Sequence, residues 1–361
     1  SQYANQAKTE GKLTVVPAPL RVTTESATRE YNGEALTAPG TITGWVNNET
    51  ATFTVTGSQT EVGSSTNTYT LTWDGTAVES DYELDEHLGT LEVTEDTTVL
   101  MISSSTKSWT YDGSAHTDYV YTVTYGNENG TAVLNETTGN YEFELSTGDK
   151  IVITPAETAK VTHVADGTVK NAFTYELENA GFYTNVTKTE GDLKINPATL
   201  TIETGSGSKE YDGTPLTAEG SISGFVNNET ATFEVTGSQT EVGSSENSYT
   251  LTWDGTAVST DYTLSEDLGT LEVTASTKEL KVVSADNTWK YDGTAHTEHT
   301  YTVTYGDESY TVTIAEGATT GTVELSTGDV VTITASADAT ITHVAESDVT
   351  NACTYTVEHS D

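Results

Sequence analysis

The sequence predicts an all-β chain of four tandem antiparallel β-sandwiches in an A-B-A-B order. Three observations carry that prediction. Aromatic and β-branched residues recur along all 361 positions, with 19 Tyr among them, and such side chains suit a pleated, half-buried surface. Polar and apolar residues alternate with a period of two, as on strands that bury one face. The chain also repeats itself at a fixed interval, the mark of tandem modules.

The repeat sets the module boundaries. A shift of 180 residues, without gaps, lays Tyr31-Asn32-Gly33 on Tyr211-Asp212-Gly213. It lays residues 46–53 (VNNETATF) on an identical 226–233, and residues 144–149 (ELSTGD) on 324–329. Lys8-Thr9-Glu10-Gly11 reappears as Lys188-Thr189-Glu190-Gly191. A Tyr-(Asp/Asn)-Gly motif occurs at 31, 111, 211 and 291, so each period holds a short A module and a longer B module. Residues 17–97 and 199–277 read as A modules, and residues 98–198 and 278–361 as B modules. Residues 1–16 match the closing strand of a B module, and the last B module lacks that strand. Pro17-Ala18 and Pro197-Ala198 make a short, stiff B-to-A connection. No joint is a long Gly/Ser tether, which predicts a rod.

Within each module the strands follow from alternation. Tyr69, Leu71 and Trp73 share one face of residues 68–73, with threonines on the other. Residues 121–125 (YTVTY) repeat the pattern. Runs of five or six such residues bounded by Gly, Asn and Asp read as short antiparallel strands, and six to eight per module is the sandwich signature. No window has helical periodicity with caps, so helix is expected to be nearly absent. Trp73, Trp109, Trp253 and Trp289 lie on alternating segments and are expected to be buried in equivalent positions.

Charge narrows the function classes. Fifty-five Asp and Glu against 14 Lys and Arg give a net charge of −41. A nucleic-acid groove needs a positive surface, and an anionic membrane is an equally poor partner. Only Arg21 and Arg29 offer a bidentate guanidinium. Cys353 stands alone, which excludes an intrachain disulfide. No apolar run reaches the length of a membrane helix, and neither a signal-peptide nor a sorting-signal pattern is visible.

Each candidate site residue has a packing role to set beside a chemical one. Asp112-Gly113 reads as a tight hairpin turn rather than a calcium or sugar ligand. His116/His296 and His163/His343 recur in register but lack metal-ligand spacing, which favours packing against Trp109 and Trp289. The recurring Asp74/Asp254, Asp81/Asp261 and Asp149/Asp329, and the run 127–130 (NENG), do not form a calcium-loop pattern. Cys353 corresponds to Phe173, an apolar position rather than a nucleophile. No catalytic constellation, cofactor or metal is assigned. Trp45 and Phe225, in matching Gly-aromatic-Val-Asn-Asn-Glu-Thr loops, are the candidate ligand contacts, because large rings favour contact hot spots.

The Tyr-Asp-Gly motif, followed by Asp81-Tyr82 and Gly89-Thr90-Leu91-Glu92-Val93, resembles the YDG-type and MBG-type repeats of bacterial surface adhesins of Firmicutes. The stretch from Tyr183 to Gly191-Asp192-Leu193-Lys194-Ile195 is similar to their closing strand. The resemblance implies immunoglobulin-like modules in the stalk of an extracellular, cell-wall-associated protein, with no enzymatic activity. It leaves two roles open: spacing a separate binding head, or multivalent binding of a host mucin glycan or immunoglobulin by the repeats. A lysine crosslink within such a stalk is disfavoured, because only Lys8 and Lys188 correspond under the shift. A last expectation concerns residues 1–16. Leu13 and Val15 are candidates for strand donation into the last B module of another molecule, which would build a head-to-tail fibre.

Overall fold

A computed structural model describes residues 2–359. The chain divides into two compact halves, residues 1–196 and 197–361. Each half holds one A and one B module.

In the first A module, Ala18–Thr24 lies between Gly40–Thr43 and Tyr82–His87. Ala27–Glu30 and Gly63–Thr66 flank Thr90–Thr94, and Thr52–Val55 pairs with Tyr69–Thr72. Alternation does the work expected of it. Leu20, Val22, Leu91 and Val93 are buried between the sheets, while the residues between them face water. Burying each such side chain stabilises by roughly 1.5–3 kcal/mol. The second A module repeats these pairings 180 residues on.

The first B module is larger. One four-stranded sheet contains Glu128–Thr131, Tyr121–Tyr125, Leu100–Ser104 and Val186–Thr189, in that order. A second contains Val133–Leu134, Tyr141–Glu144, Lys150–Pro155 and Phe173–Leu177. A third, smaller sheet sets Asp192–Asn196 between Lys107–Thr110 and Thr168–Lys170. Tyr121, Ile102, Ile151, Ile153 and Phe173 form the centre of the module.

The chain is thus all-β, built of tandem sandwiches that are immunoglobulin-like in the broad sense of small sheets packed face to face. Five single-turn 3-10 helices are the only helical elements among the described residues. Three expectations need correction. The sheets are mixed rather than purely antiparallel, because the opening strands of a module pair in parallel with late ones: Ala18–Thr24 with Tyr82–His87, and Leu100–Ser104 with Val186–Thr189. Parallel neighbours need a crossover connection, and nearly a whole module of chain supplies it. Asp112-Gly113 does turn the chain, but not as a hairpin. Asp112 accepts a hydrogen bond from the Ser114 N–H at 2.8 Å, Gly113 alone takes a positive φ of 75°, and Lys107–Thr110 pairs with the closing strand instead. Trp73, Trp109, Trp253 and Trp289 occupy matching positions but are half-buried. Each indole stacks on a neighbouring ring, and Trp73 packs against the buried Leu20, Ala77 and Tyr82 without being enclosed.

Candidate functional site: the junction between A and B modules

The best-built polar site lies where the A module meets the B module of its own half. Tyr31 follows Ala27–Glu30, and its N–H donates to the Thr94 carbonyl at 2.9 Å, which aims the ring out of the A module. The phenol donates to Asp149 Oδ2 at 2.9 Å. Tyr183 donates to the same oxygen at 2.5 Å, and Asn179 Nδ2 donates to Oδ1 at 2.8 Å. A carboxylate only 4% exposed is therefore satisfied by these three close donors, with the Thr147 hydroxyl a fourth at 3.5 Å, as a buried charge must be. The Tyr31 ring meets Phe182 and Tyr183 edge-on, with centroids 4.9 and 5.9 Å away. The buried residues of A and B join here into one apolar cluster.

Glycine completes the contact. Gly33 has a φ of +80°, and a Cβ there would sit 1.9 Å from the Thr147 carbonyl oxygen. The ELSTGD loop of the B module therefore lies flat against the bare backbone of the A motif. The second half repeats the arrangement. Tyr211 donates to Asp329 Oδ1 at 3.0 Å, and a Cβ on Gly213 would fall 1.9 Å from the Thr327 carbonyl. His359 stands where Asn179 stands in the first half, with Nδ1 2.8 Å from Asp329 Oδ1. Burial, then the hydrogen bond to the carboxylate, pushes the phenols of Tyr31 and Tyr211 up to about 12. For Asp329, burial acts upward but is outweighed by bonds from Thr327, His359 and Tyr211, which hold it below the usual range. The site can latch two modules, and in the second half the Tyr211 hydroxyl also lies 2.8 Å from His359 Nδ1.

Trp45 and Phe225 sit half-buried in equivalent loops. Trp45 meets Tyr82 and Trp73 edge-on at 5.2 and 6.0 Å, and Phe225 meets Tyr262 at 5.6 Å. The Asn pairs in these loops have a structural use, since Asn47, Asn48, Asn227 and Asn228 all take positive φ, which Asn tolerates. The Tyr82 phenol accepts from the Val46 N–H and donates to Glu49, closing the loop over the ring.

The recurring histidines act locally. His116 and His296 stack on Trp109 and Trp289 at 4.9 and 5.2 Å. His163 and His343 begin single-turn helices, and their backbone N–H groups donate to Asp166 and Glu346. Among the described residues no three His, Cys, Asp or Glu side chains converge on a metal-sized point. Residues 127–130 belong to a strand hairpin, Tyr121–Tyr125 with Glu128–Thr131. Asp74 accepts from the N–H and hydroxyl of Thr52 on the facing strand, and Asp254 accepts likewise from Thr232. Lys188 lies 4.7 Å over the Phe173 ring and 2.6 Å from Glu190, an ordinary cation's setting. Leu13 and Val15 are 99% and 96% exposed, and residues 2–16 form no strand.

The sequence alone does not disclose the junction. Tyr31 reads as part of a turn motif there, and Asp149 as one of several recurring carboxylates. The available signal is their shared spacing: both members of each pair recur in register, 118 residues apart in each half.

No protein-family model matches the chain, and no curated protein matches it. Among solved structures, the chain is similar to the N-terminal eight Ig domains of Down Syndrome Cell Adhesion Molecule, at 9% identity and a TM-score of 0.19. That match covers 90% of this chain and 56% of the other, so the chain spans little more than half its length. It is also similar to the I9–I11 tandem of titin, at 9% identity and a TM-score of 0.20, over 71% of this chain and all of that one. Likeness this low carries no functional weight, and the sandwich architecture rests on the sheets themselves.

Proposed function

We propose that the chain is a non-catalytic repeat region of a bacterial cell-surface adhesin, a spacer that holds a binding head away from the cell wall. The observation that carries this reading is the duplicated latch, Tyr31 on Asp149 and Tyr211 on Asp329. Spacers need modules that resist bending against one another, and a buried charge with several donors is directional in a way that an apolar patch is not. Near-identical copies supply length by repetition. The adhesin assignment and the extracellular setting rest on the resemblance of the Tyr-Asp-Gly repeats.

The competing role is binding of a host mucin glycan or immunoglobulin by the repeats, through Trp45 and Phe225. Passing host glycoproteins and immunoglobulins over the immobilised chain separates the two. A spacer gives no saturable response. Saturable binding that disappears in the Trp45→Ala, Phe225→Ala double variant would overturn the spacer reading.

A further inference from the structure

The four Tyr-(Asp/Asn)-Gly turns differ at one position that the structure makes chemically consequential. Residues 112, 212 and 292 are Asp, and residue 32 is Asn. Asn followed by Gly is the dipeptide most prone to lose its side-chain amide, because glycine leaves the next backbone nitrogen unshielded. The chain holds two such pairs, Asn32-Gly33 and Asn129-Gly130. They sit in opposite settings. Asn129 and Gly130 lie within Glu128–Thr131, paired across to Thr124 and Val123. The Asn129 amide donates to Thr124 Oγ1 at 3.1 Å, and the Phe143 ring covers Gly130 so closely that a Cβ there would meet it at 2.4 Å.

Asn32 is exposed and belongs to no strand. Its Oδ1 accepts from the Glu34 N–H at 3.1 Å, and no hydrogen bond engages the Gly33 N–H among the described residues. The attacking nitrogen is thus open, and a donor already rests on the oxygen that would carry negative charge during attack. A cation also stands ready for the product. In the second half Lys209 Nζ pairs with Asp212 at 2.6 Å and donates to the Thr214 carbonyl at 2.5 Å. In the first half Arg29 takes the place of Lys209. Its Nη2 donates to the Glu34 carbonyl at 2.5 Å, and its buried Nε has no hydrogen-bond partner among the described residues. This turn keeps the guanidinium and lacks the carboxylate that its twin has.

We propose that Asn32 is a site of spontaneous deamidation, and that the first A–B junction exists in an amide form and in acidic forms made from it. The Gly33 nitrogen gives its proton to water and attacks Asn32 Cγ. The bond from Cγ to the side-chain nitrogen breaks, ammonia leaves, and a five-membered succinimide remains. Water then opens the ring at one of its two carbonyls. Opening at Cγ gives an aspartate on an unchanged backbone, a turn like that of Asp212 with Arg29 as its partner. Opening at the main-chain carbonyl gives isoaspartate, which carries the chain through Cγ and lengthens it by one methylene. That carbon falls next to Gly33, whose backbone faces the Thr147 carbonyl with no room for even a methyl, so the isoaspartate form loosens the latch. The balance is one water in and one ammonia out, with no oxidant or reductant.

Incubation of the 361-residue chain in neutral buffer, read by peptide mapping with mass spectrometry and isoaspartyl methyltransferase labelling, tests the proposal against the same chain kept in concentrated urea. Folded Asn32 is expected to convert within about threefold of its rate in urea, and folded Asn129 at least about tenfold more slowly than in urea. Asn32 slowed by folding beyond that threefold overturns the proposal, and so does a folded Asn129 that reacts as fast as Asn32. The Asn32→Asp chain reads out the aspartate form directly. Its new carboxyl is expected to titrate below the ordinary range, as Asp212 does chiefly through Lys209, and to return toward that range when Arg29→Gln is added. An ordinary titration with Arg29 intact overturns the pairing. Aged chain enriched in isoaspartate is expected to exchange amides 145–149 at least about tenfold faster than fresh chain, and unchanged exchange overturns the effect on the latch.

Discussion

The first and last B modules share most of their interior and differ in how their edges are finished. Tyr121, Val123, Ile151 and Ile153 are fully buried, and so are Tyr301, Val303, Val331 and Ile333. Around Asp192–Asn196 the match fails. Tyr111 is 3% exposed and Tyr291 63%, although each ring leans on the same histidine, His163 or His343. The third small sheet of the first module has no counterpart among the described residues of the last. Asp192–Asn196 is the strand with which both flanks of the first module pair. The central sheets do not depend on it, because their pairings are closed among themselves.

The largest effect is expected from emptying the closing strand's core position. Leu193→Ala removes a fully buried side chain and should destabilise the first half by about 2–5 kcal/mol. Leu13→Ala, at the corresponding position 180 residues earlier, should change the stability of the dilute chain by less than about 0.5 kcal/mol. Urea unfolding of both variants checks this. A similar loss in the two would mean that residues 2–16 are seated in solution, and the contrast between the modules would vanish.

Next come the motif glycines, which share a sequence and a backbone conformation but not a partner. Gly293 has a φ of +79°, and a Cβ added there would meet nothing within 4 Å. Gly293→Ala should cost only the left-handed conformation, roughly 1–2 kcal/mol. Gly33→Ala and Gly213→Ala carry the same penalty and also drive a methyl into a backbone carbonyl 1.9 Å away. They should cost more and loosen the module junction, seen as faster exchange of amides 145–149 and 325–329. Equal losses at all three glycines would remove the latch from the description.

Tyr31→Phe probes the latch by its charge. It leaves Asp149 with one donor fewer and should cost about 1–3 kcal/mol. It also changes the alkaline limb. A phenol raised from 10.0 to about 12 on folding contributes stability in full below pH 10, and loses it as pH rises from 10 through about 12. The variant should therefore show a shallower loss of stability over that window, measured by denaturant midpoints at successive pH values.

Period-two alternation makes the strands legible in the sequence, and the 180-residue shift makes the duplication legible. Both are local or translational patterns that need no knowledge of what touches what. The latch is hidden because Tyr31 and Asp149 are far apart in the chain and each has a bland local role, in a turn and in a loop. The parallel pairings are hidden for the same reason, since alternation shows which face is buried but not which strand lies alongside. The half-burial of Trp73 and Trp109 shows the remaining limit: a ring on the apolar face of a short strand can stack on one neighbouring ring and still leave part of itself open to water.

The smallest expected effect separates two copies of one turn. Asp112 and Asp292 both accept from the N–H two residues on, and both lie beside a histidine Nε2, at 2.9 and 3.0 Å. Asp292 also accepts from the Thr294 hydroxyl at 2.7 Å, whereas the Ser114 hydroxyl is the weakest of the groups that lower Asp112. The Thr294 hydroxyl is the chief reason the Asp292 carboxyl falls to about 2, followed by the Thr294 N–H and by His296. For Asp112 the Ser114 N–H leads, with His116 behind it. A carboxyl depressed on folding contributes stability that is present above its unfolded value, near 3.8, and is lost as pH falls toward 2. Thr294→Val should therefore move the Asp292 titration upward and leave Asp112 where it is, as read from carboxyl carbon shifts in NMR. If Asp292 stays near 2 in that variant, the N–H and the histidine hold it alone, and the two turns are electrostatically the same.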